Sequence, residues 1–335
     1  MAARSIADGR LRFRHSPHTV SLRDARPDPA RSAMSTSTPA MGNPGRLRTY
    51  ASFVRLEHTL FSLPLILAGV FSVSGPVMSP ARWLLTAIGA VGARTAGMSL
   101  NRLIDREIDA RNPRTKAREL PAGKLALLEG LALLVASVAA YLGACAALGP
   151  WYLRVAIVPL AVFALYPYLK RFTPLCHVGV GVALALSPLA GYAAGHPDLA
   201  RWQPAAALAM FALLWVTGFD IIYATLDEEF DRASGLHSMV AWLGRASALR
   251  VSWALHALAA LALGFALWLV VGSPAAAMTP WGIAGGVLYA GTCVLLALEQ
   301  RLAQDVDLAF FKINVWVGAA VLASVLAARM ASGGL

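Results

Sequence analysis

From Ala51 almost to its C-terminal end, this 335-residue chain repeats apolar stretches of about twenty residues. Each is long enough to cross ~30 Å of hydrocarbon as a helix, the conformation that satisfies its own backbone hydrogen bonds in lipid. Nine segments are expected, near residues 51–74, 82–104, 124–147, 151–169, 174–194, 203–226, 247–271, 281–299 and 308–330. The expected fold class is therefore all-α integral membrane, with nine transmembrane helices in one polytopic domain over residues 49–335. Composition agrees: 58% of residues are hydrophobic, 14% are charged and the mean hydropathy is +0.60, far above a soluble domain. A lipid bilayer is the first partner implied.

Residues 1–48 differ in kind. They are rich in Arg, Ser and Pro, without an apolar run long enough for a signal peptide, and are expected to form a disordered basic tail. A mitochondrial transit peptide is the sharper alternative, against which stand three Asp; Met34 and Met41 offer later starts. The favoured reading is a bacterial inner-membrane protein with a dispensable tail. Deleting residues 1–40 is expected to leave turnover intact at unchanged expression, as measured on membranes.

The formal charge of +11 invites a nucleic-acid reading, but nine Arg and three Asp in residues 1–48 supply +6 of it. Most of the rest lies in loops between apolar segments, which suits a membrane surface or phosphate handling and no nucleic-acid partner. Arg106, Arg111, Arg114, Lys116, Arg118, Lys170, Arg171, Arg232, Arg245 and Arg301 fall in alternate connections. By the positive-inside rule these loops and the N-terminus face the cytoplasm. Cys145, Cys176 and Cys293 each stand alone in apolar surroundings and read as core packing.

Two polar runs interrupt the apolar pattern. The first reads NRLIDREIDARNPRTKARELPAG, in which Asn101, Asp105 and Asp109 recur at i, i+4 and i+8 on one helical stripe. The second reads GFDIIYATLDEEFDRASGLHS, where Asp227 and Asp231 are again four apart, after Asp220 and Tyr223. Asp105 lies 122 positions before Asp227, and Asp109 the same 122 before Asp231. Two helix ends presenting paired carboxylates to a shared cavity would repel one another without a dication between them. Magnesium meets that need, taking one or two carboxylates per ion and sharing its other positions with phosphate oxygens. Arg114, Arg118, Lys170 and Arg171 lie on the same side and can grip those phosphates, so the combination indicates a diphosphate substrate.

These residues resemble the UbiA family of membrane prenyltransferases, over nearly the whole span from Arg55 to the ninth segment. The motif NxxxDxxxD is matched by Asn101, Asp105 and Asp109, and the YAxxDxxxD motif by Tyr223, Asp227 and Asp231. Arg114, Thr115, Arg118, Leu120 and Gly123 are similar to RTxxRPLxxG, with Glu119 standing in place of its proline. Tyr166, Pro167, Lys170 and Arg171 match YPxxKR, and Arg55, Glu57 and His58 loosely match an opening RxDKP element. The resemblance implies nine helices around a central cavity, with magnesium and prenyl diphosphate near the cytoplasmic face. It implies that Asn101, Asp105, Asp109, Asp227 and Asp231 hold metal, that Arg114, Arg118, Lys170 and Arg171 bind diphosphate, and that Asp220 and Tyr223 orient these groups.

The expected reaction transfers a polyprenyl group from polyprenyl diphosphate to a small aromatic carboxylic acid such as 4-hydroxybenzoate, in quinone biosynthesis. Asp105, Asp109, Asp227, Asp231 and Tyr223 are its expected catalytic set, and Arg55 the expected partner of the acceptor carboxylate. The alternative acceptor is 1,4-dihydroxy-6-naphthoate, because the second run and FFKINVWVG look similar to a menaquinone-pathway branch of the family. Outside that class, a secondary transporter could use intramembrane carboxylates but would not need basic groups beside both Asp motifs. An intramembrane aspartyl protease would need its Asp pair deep between helices.

Overall fold

In the computed structural model, which describes residues 44–55, 59–303 and 312–334, the regular structure is entirely helical. Along the chain run α1 (Pro44–Phe53), α2 (Thr59–Val70), α3 (Pro80–Ile104), α4 (Arg106–Arg111), α5 (Leu127–Leu148), α6 (Pro150–Val155) and α7 (Ile157–Leu169). There follow α8 (Cys176–Gly195), α9 (Gln203–Ala224), α10 (Glu228–Ala233), α11 (Met239–Leu243), α12 (Arg245–Val271), α13 (Pro274–Ala277), α14 (Pro280–Arg301) and α15 (Asn314–Ala331). Of the tail expected over 1–48, residues 1–43 lie outside the described residues, and the last five form the start of α1.

Among the described residues, seven spans are long and apolar enough to cross a membrane: α5, α6 with α7, α8, α9, α12, α14 and α15. The expected count of nine is thus reduced to seven on that measure. The two remaining expected segments correspond to α2, with 12 residues, and α3, whose 25 residues include Arg82, Arg94 and Arg102. The expected segment at 151–169 is broken at Ala156. Pro159 has no N–H to offer the carbonyl of Val155, so the helical ladder fails there.

Ser/Thr-Pro pairs start three of these helices. Ser79, Ser273 and Thr279 each accept a hydrogen bond from the backbone N–H three residues on, and the proline that follows each has no N–H to strand. The connections sort to opposite ends of the bundle. At one end the Val77 N–H donates to the Gly195 carbonyl at 2.7 Å, and Arg82 Nε donates to the Ala194 carbonyl at 3.0 Å. At the other end the His237 N–H donates to the Lys170 carbonyl at 2.7 Å and Arg171 reaches the Ile104 carbonyl, drawing three charged loops together.

The core centres on α9, packed between α8 and α12. Phe211, Trp215 and Phe219 follow at helical spacing and meet Leu65 of α2, Leu263 of α12, and Val317 and Val321 of α15. The opposite pattern holds outside: Leu261, Phe265 and Trp268 of α12 and Val287 and Val294 of α14 are exposed. An apolar surface of that extent suits lipid rather than water. The helices α2 and α8 cross at backbone contact, because a Cβ on Gly191 would fall 1.9 Å from the Ile66 carbonyl oxygen and one on Gly69 2.0 Å from that of Pro188. Small residues at such a crossing let backbones approach within lipid, where no hydrophobic force drives helices together.

Candidate active site at the paired helix ends

The two aspartate motifs adopt the same local structure. The expected continuous stripe through Asn101, Asp105 and Asp109 is interrupted: α3 ends at Ile104, Asp105 is the junction, and α4 carries Asp109 as its fourth residue. Asp227 likewise stands between α9 and α10, and Asp231 is the fourth residue of α10. In both motifs the second Asp donates its N–H to the carbonyl of the first at 2.8 Å. The equal 122-residue offset is therefore a repeated helix–junction–short-helix unit.

Each carboxylate in these motifs has polar partners, three of them on basic side chains. Asp105 accepts from Lys170 Nζ at 2.6 Å and Asn101 Nδ2 at 3.3 Å, with Arg171 at 3.5 Å. Arg118 Nη1 donates to both oxygens of Asp109, at 2.7 and 2.8 Å. Asp227 accepts from Arg114 Nε and from Asn112 Nδ2, both at 2.8 Å, and from Arg114 Nη2 as well. Arg114 Nη1 donates to the Tyr223 hydroxyl at 2.7 Å while its guanidinium lies 4.8 Å over that ring. The side chain of Asp231 is bonded to Ser238.

Electrostatics separate the first residues of the two motifs. Burial pushes the Asp105 carboxyl above the usual carboxylate range, against the pull of Lys170. Burial acts on Asp227 too, but hydrogen bonds from Arg114 prevail and hold it below that range. Burial raises Asp231, with its Ser238 bond opposing and the charge of Asp227 reinforcing.

Beside this cluster opens a cavity of about 1000 Å³. Of the expected site residues it is lined by Arg55, Asn101, Arg118, Asp220 and Tyr223, while apolar groups such as Met98, Phe163, Trp215 and Phe219 form its walls. Asp105, Asp109, Asp227, Asp231, Arg114, Lys170 and Arg171 are not among the lining residues. Glu57 and His58 lie outside the described residues. Glu119 tethers the charged loop to α1, accepting from Ser52 Oγ at 2.6 Å. At Gly123 that loop turns with φ +67°, a conformation that favours glycine.

Sequence reasoning missed several residues here. Asn112 pairs with Asp227, and the NPRT turn that follows the first motif was the available signal. His177, buried at the start of α8, donates from Nδ1 to Asp220 at 2.6 Å and accepts the Met239 N–H on Nε2 at 3.2 Å. The backbone donor on Nε2 leaves a proton on Nδ1, through which His177 orients Asp220 at the cavity wall. Lys312 also lines the cavity, at the start of the segment expected from 308.

Among the described residues no three His, Cys, Asp or Glu side chains form a ready metal cage. Magnesium does not demand one, since one or two carboxylates and substrate phosphates suffice. The Oδ1 atom of Asp105 is buried without a hydrogen-bond partner and faces only Arg171 at 3.5 Å, a hard oxygen of the kind such an ion takes.

Residues 62–328 match the sequence pattern described as the UbiA prenyltransferase family. The chain belongs to that family. UbiA-type relatives agree along most of its length: the 4-hydroxybenzoate octaprenyltransferase of Ralstonia nicotianae is 30% identical over 300 residues, 83% of this chain and 94% of that one. Among solved structures, the apo UbiA homolog from Aeropyrum pernix K1 is 33% identical with a TM-score of 0.71, covering 81% of this chain and 98% of the other. A UbiA homolog from Archaeoglobus fulgidus, bound to GPP and Mg2+, shares the fold at 18% identity and a TM-score of 0.61, over 84% of this chain and 99% of its own. The protein is thus a membrane-embedded enzyme of the UbiA prenyltransferase type, and the expectation drawn from its motifs is met at that level.

Proposed function

We propose that this UbiA-family enzyme transfers a polyprenyl group from polyprenyl diphosphate to a small aromatic acid in quinone biosynthesis, with 4-hydroxybenzoate as the acceptor and magnesium as the cofactor. The observation that carries the reading is the pairing of motif carboxylates with basic groups at the edge of a large apolar cavity: Asp105 with Lys170, Asp109 with Arg118, and Asp227 with Arg114. A diphosphate arriving with a dication has matching partners on both sides, oxygen for the metal and N–H for the phosphates. The names of relatives such as the Ralstonia nicotianae enzyme, and the GPP and Mg2+ bound to the Archaeoglobus fulgidus protein, support the same substrate class.

In this scheme Asn101, Asp105, Asp109, Asp227 and Asp231 hold magnesium, which when bound supplies Lewis-acid stabilisation of the leaving diphosphate. Arg114, Arg118, Lys170 and Arg171 turn from the carboxylates to the phosphate oxygens. Tyr223 and Asp220 orient the reacting groups at the cavity wall, Tyr223 through Arg114 and Asp220 through His177. The apolar walls exclude water while the allylic carbon, its bond to diphosphate breaking, is attacked by the aromatic ring, which then loses the proton from the attacking carbon. By the positive-inside rule the charged end faces the cytoplasm, across a bacterial inner membrane.

Arg55 lines the cavity with a left-handed backbone, φ +49°, just beyond α1. It is assigned to the acceptor carboxylate. A charge-assisted hydrogen bond contributes about 1.5–3 kcal/mol, so Arg55→Ala is expected to raise the apparent KM for the acceptor ~10–100-fold with little change for the donor. Equal damage to both would give Arg55 a structural role.

The decisive assay offers membranes 4-hydroxybenzoate and 1,4-dihydroxy-6-naphthoate in competition, with labelled prenyl diphosphate and magnesium. Label passing mainly to the benzoate is the expected result. Transfer mainly to the naphthoate would move the enzyme to a menaquinone pathway, and transfer to neither would defeat the aromatic-acid reading.

A further inference from the structure

Arg102 lines the cavity from the last turn of α3, yet it is only 4% exposed. Its Nε and Nη1 atoms are buried with no hydrogen-bond partner, and it takes part in none of the ion pairs formed by the described residues. Nearby, Arg114, Arg118 and Lys170 each hold a carboxylate. The charges of Arg118 and Arg55 work against Arg102, and those of Glu119 and Asp109 work for it without touching it. A guanidinium does not relieve such a position by losing its proton. The wall of the cavity therefore carries a buried cation with no ion pair and two unbonded nitrogens among the described residues, a feature retained in membrane proteins chiefly for function.

We propose that Arg102 binds an oxyanion entering the cavity, and that this oxyanion is the carboxylate of the aromatic acceptor. A carboxylate and a diphosphate present the same chemistry to a guanidinium fork, so location separates them. The motif aspartates and three of the four groups assigned to diphosphate lie outside the cavity lining, whereas Arg102 is in it. Arg94 and Met98 precede Arg102 by two and one helical turns on the same face, and Phe163 of α7 lines the cavity where it packs against Gly97. A flat ring bearing one carboxylate fits beside Arg102, where the apolar groups Met98 and Phe163 also line the cavity and Arg94 lies two turns further along α3. Shielded from water, the resulting charge-assisted bond is of the strong kind. The assignment rests on the aromatic-acid reading of the function and adds a second group beside Arg55 that selects acids over neutral phenols.

The test uses the full-length protein in detergent as wild type, Arg102→Met and Arg102→Lys. Binding of 4-hydroxybenzoate, its neutral amide 4-hydroxybenzamide, and inorganic pyrophosphate with magnesium is followed by thermal shift and titration calorimetry. Wild type is expected to bind the acid at least tenfold more tightly than the amide. Arg102→Met is expected to lose that preference and keep pyrophosphate binding, and Arg102→Lys to recover part of it. Without ligand, Arg102→Met is expected to melt no lower than wild type, since it removes an unpaired buried charge. Unchanged acid binding by Arg102→Met would overturn the proposal, as would a loss confined to pyrophosphate, which would assign the oxyanion to the donor. A lower melting temperature of the unliganded variant would also overturn it, giving Arg102 a structural role. If the wild type transfers no prenyl group to any aromatic acid, the functional reading fails; if it does and Arg102→Met keeps the wild-type acceptor KM, only this inference fails.

Discussion

Asp105→Asn and Asp227→Asn are each expected to lower prenyl transfer by at least ~100-fold, with partial recovery as magnesium is raised. Each change keeps size and removes one negative charge from a site proposed to hold a dication and a diphosphate. The ion pairs add a second consequence. Asp105 neutralises Lys170 and Arg171, and Asp227 neutralises Arg114, so the first variant leaves two cations facing one another and the second leaves Arg114 without its carboxylate. With the basic partners about one quarter exposed, a loss of about 1–3 kcal/mol in stability is expected. Turnover measured against magnesium well below the melting temperature separates the two effects. Near-normal turnover at ordinary magnesium in either variant would sink the two-motif mechanism. Reduced stability without any magnesium response would reduce the carboxylates to structural salt bridges.

Gly191→Leu is expected to prevent accumulation of folded protein. Its first added carbon would fall 1.9 Å from the Ile66 carbonyl oxygen and 2.7 Å from the carbonyl carbon, a backbone that cannot rotate away. Overpacking against movable side chains costs about 1–3 kcal/mol, and prising α2 from α8 exceeds that because α2 also supplies cavity and core residues Leu65 and Ile66. Gly143→Ala in α5 is the matched control: a Cβ there meets nothing within 4 Å, and alanine is the better helix former. Detergent melting and size-exclusion profiles of the two variants test the contrast. If Gly191→Leu behaves like Gly143→Ala, the helices do not cross at backbone contact.

The contrast between what the sequence showed and what it hid follows the range of the interactions. Apolar length is a local property, and each expected segment has a helix within it, although α3, which carries Arg82, Arg94 and Arg102, is not among the spans apolar enough to cross. The four-residue Asp spacing and its 122-residue echo were legible because they are written in the chain. The breaks at Asp105 and Asp227 were not, since no glycine or proline marks either one. Nor could periodicity reveal that Arg114 meets Asp227 across 113 residues or that His177 meets Asp220 across 43, for these contacts exist only once the helices assemble. Arg102 was hidden differently: it stands beside Asn101 inside a recognised motif, and only its burial without a partner sets it apart.

The junctions at Asp105 and Asp227 put the second carboxylate of each pair on a short helix of its own. Asp105 ends the 25-residue α3, whereas Asp227 stands three residues beyond the end of α9 and opens α10. The second carboxylate of each pair rides on a six-residue turn, too short to hold its shape alone, anchored by Arg118 in one motif and Ser238 in the other. Within the proposed metal site, a shift of either short turn would change the hold on ion and diphosphate without moving the long helices of the bundle.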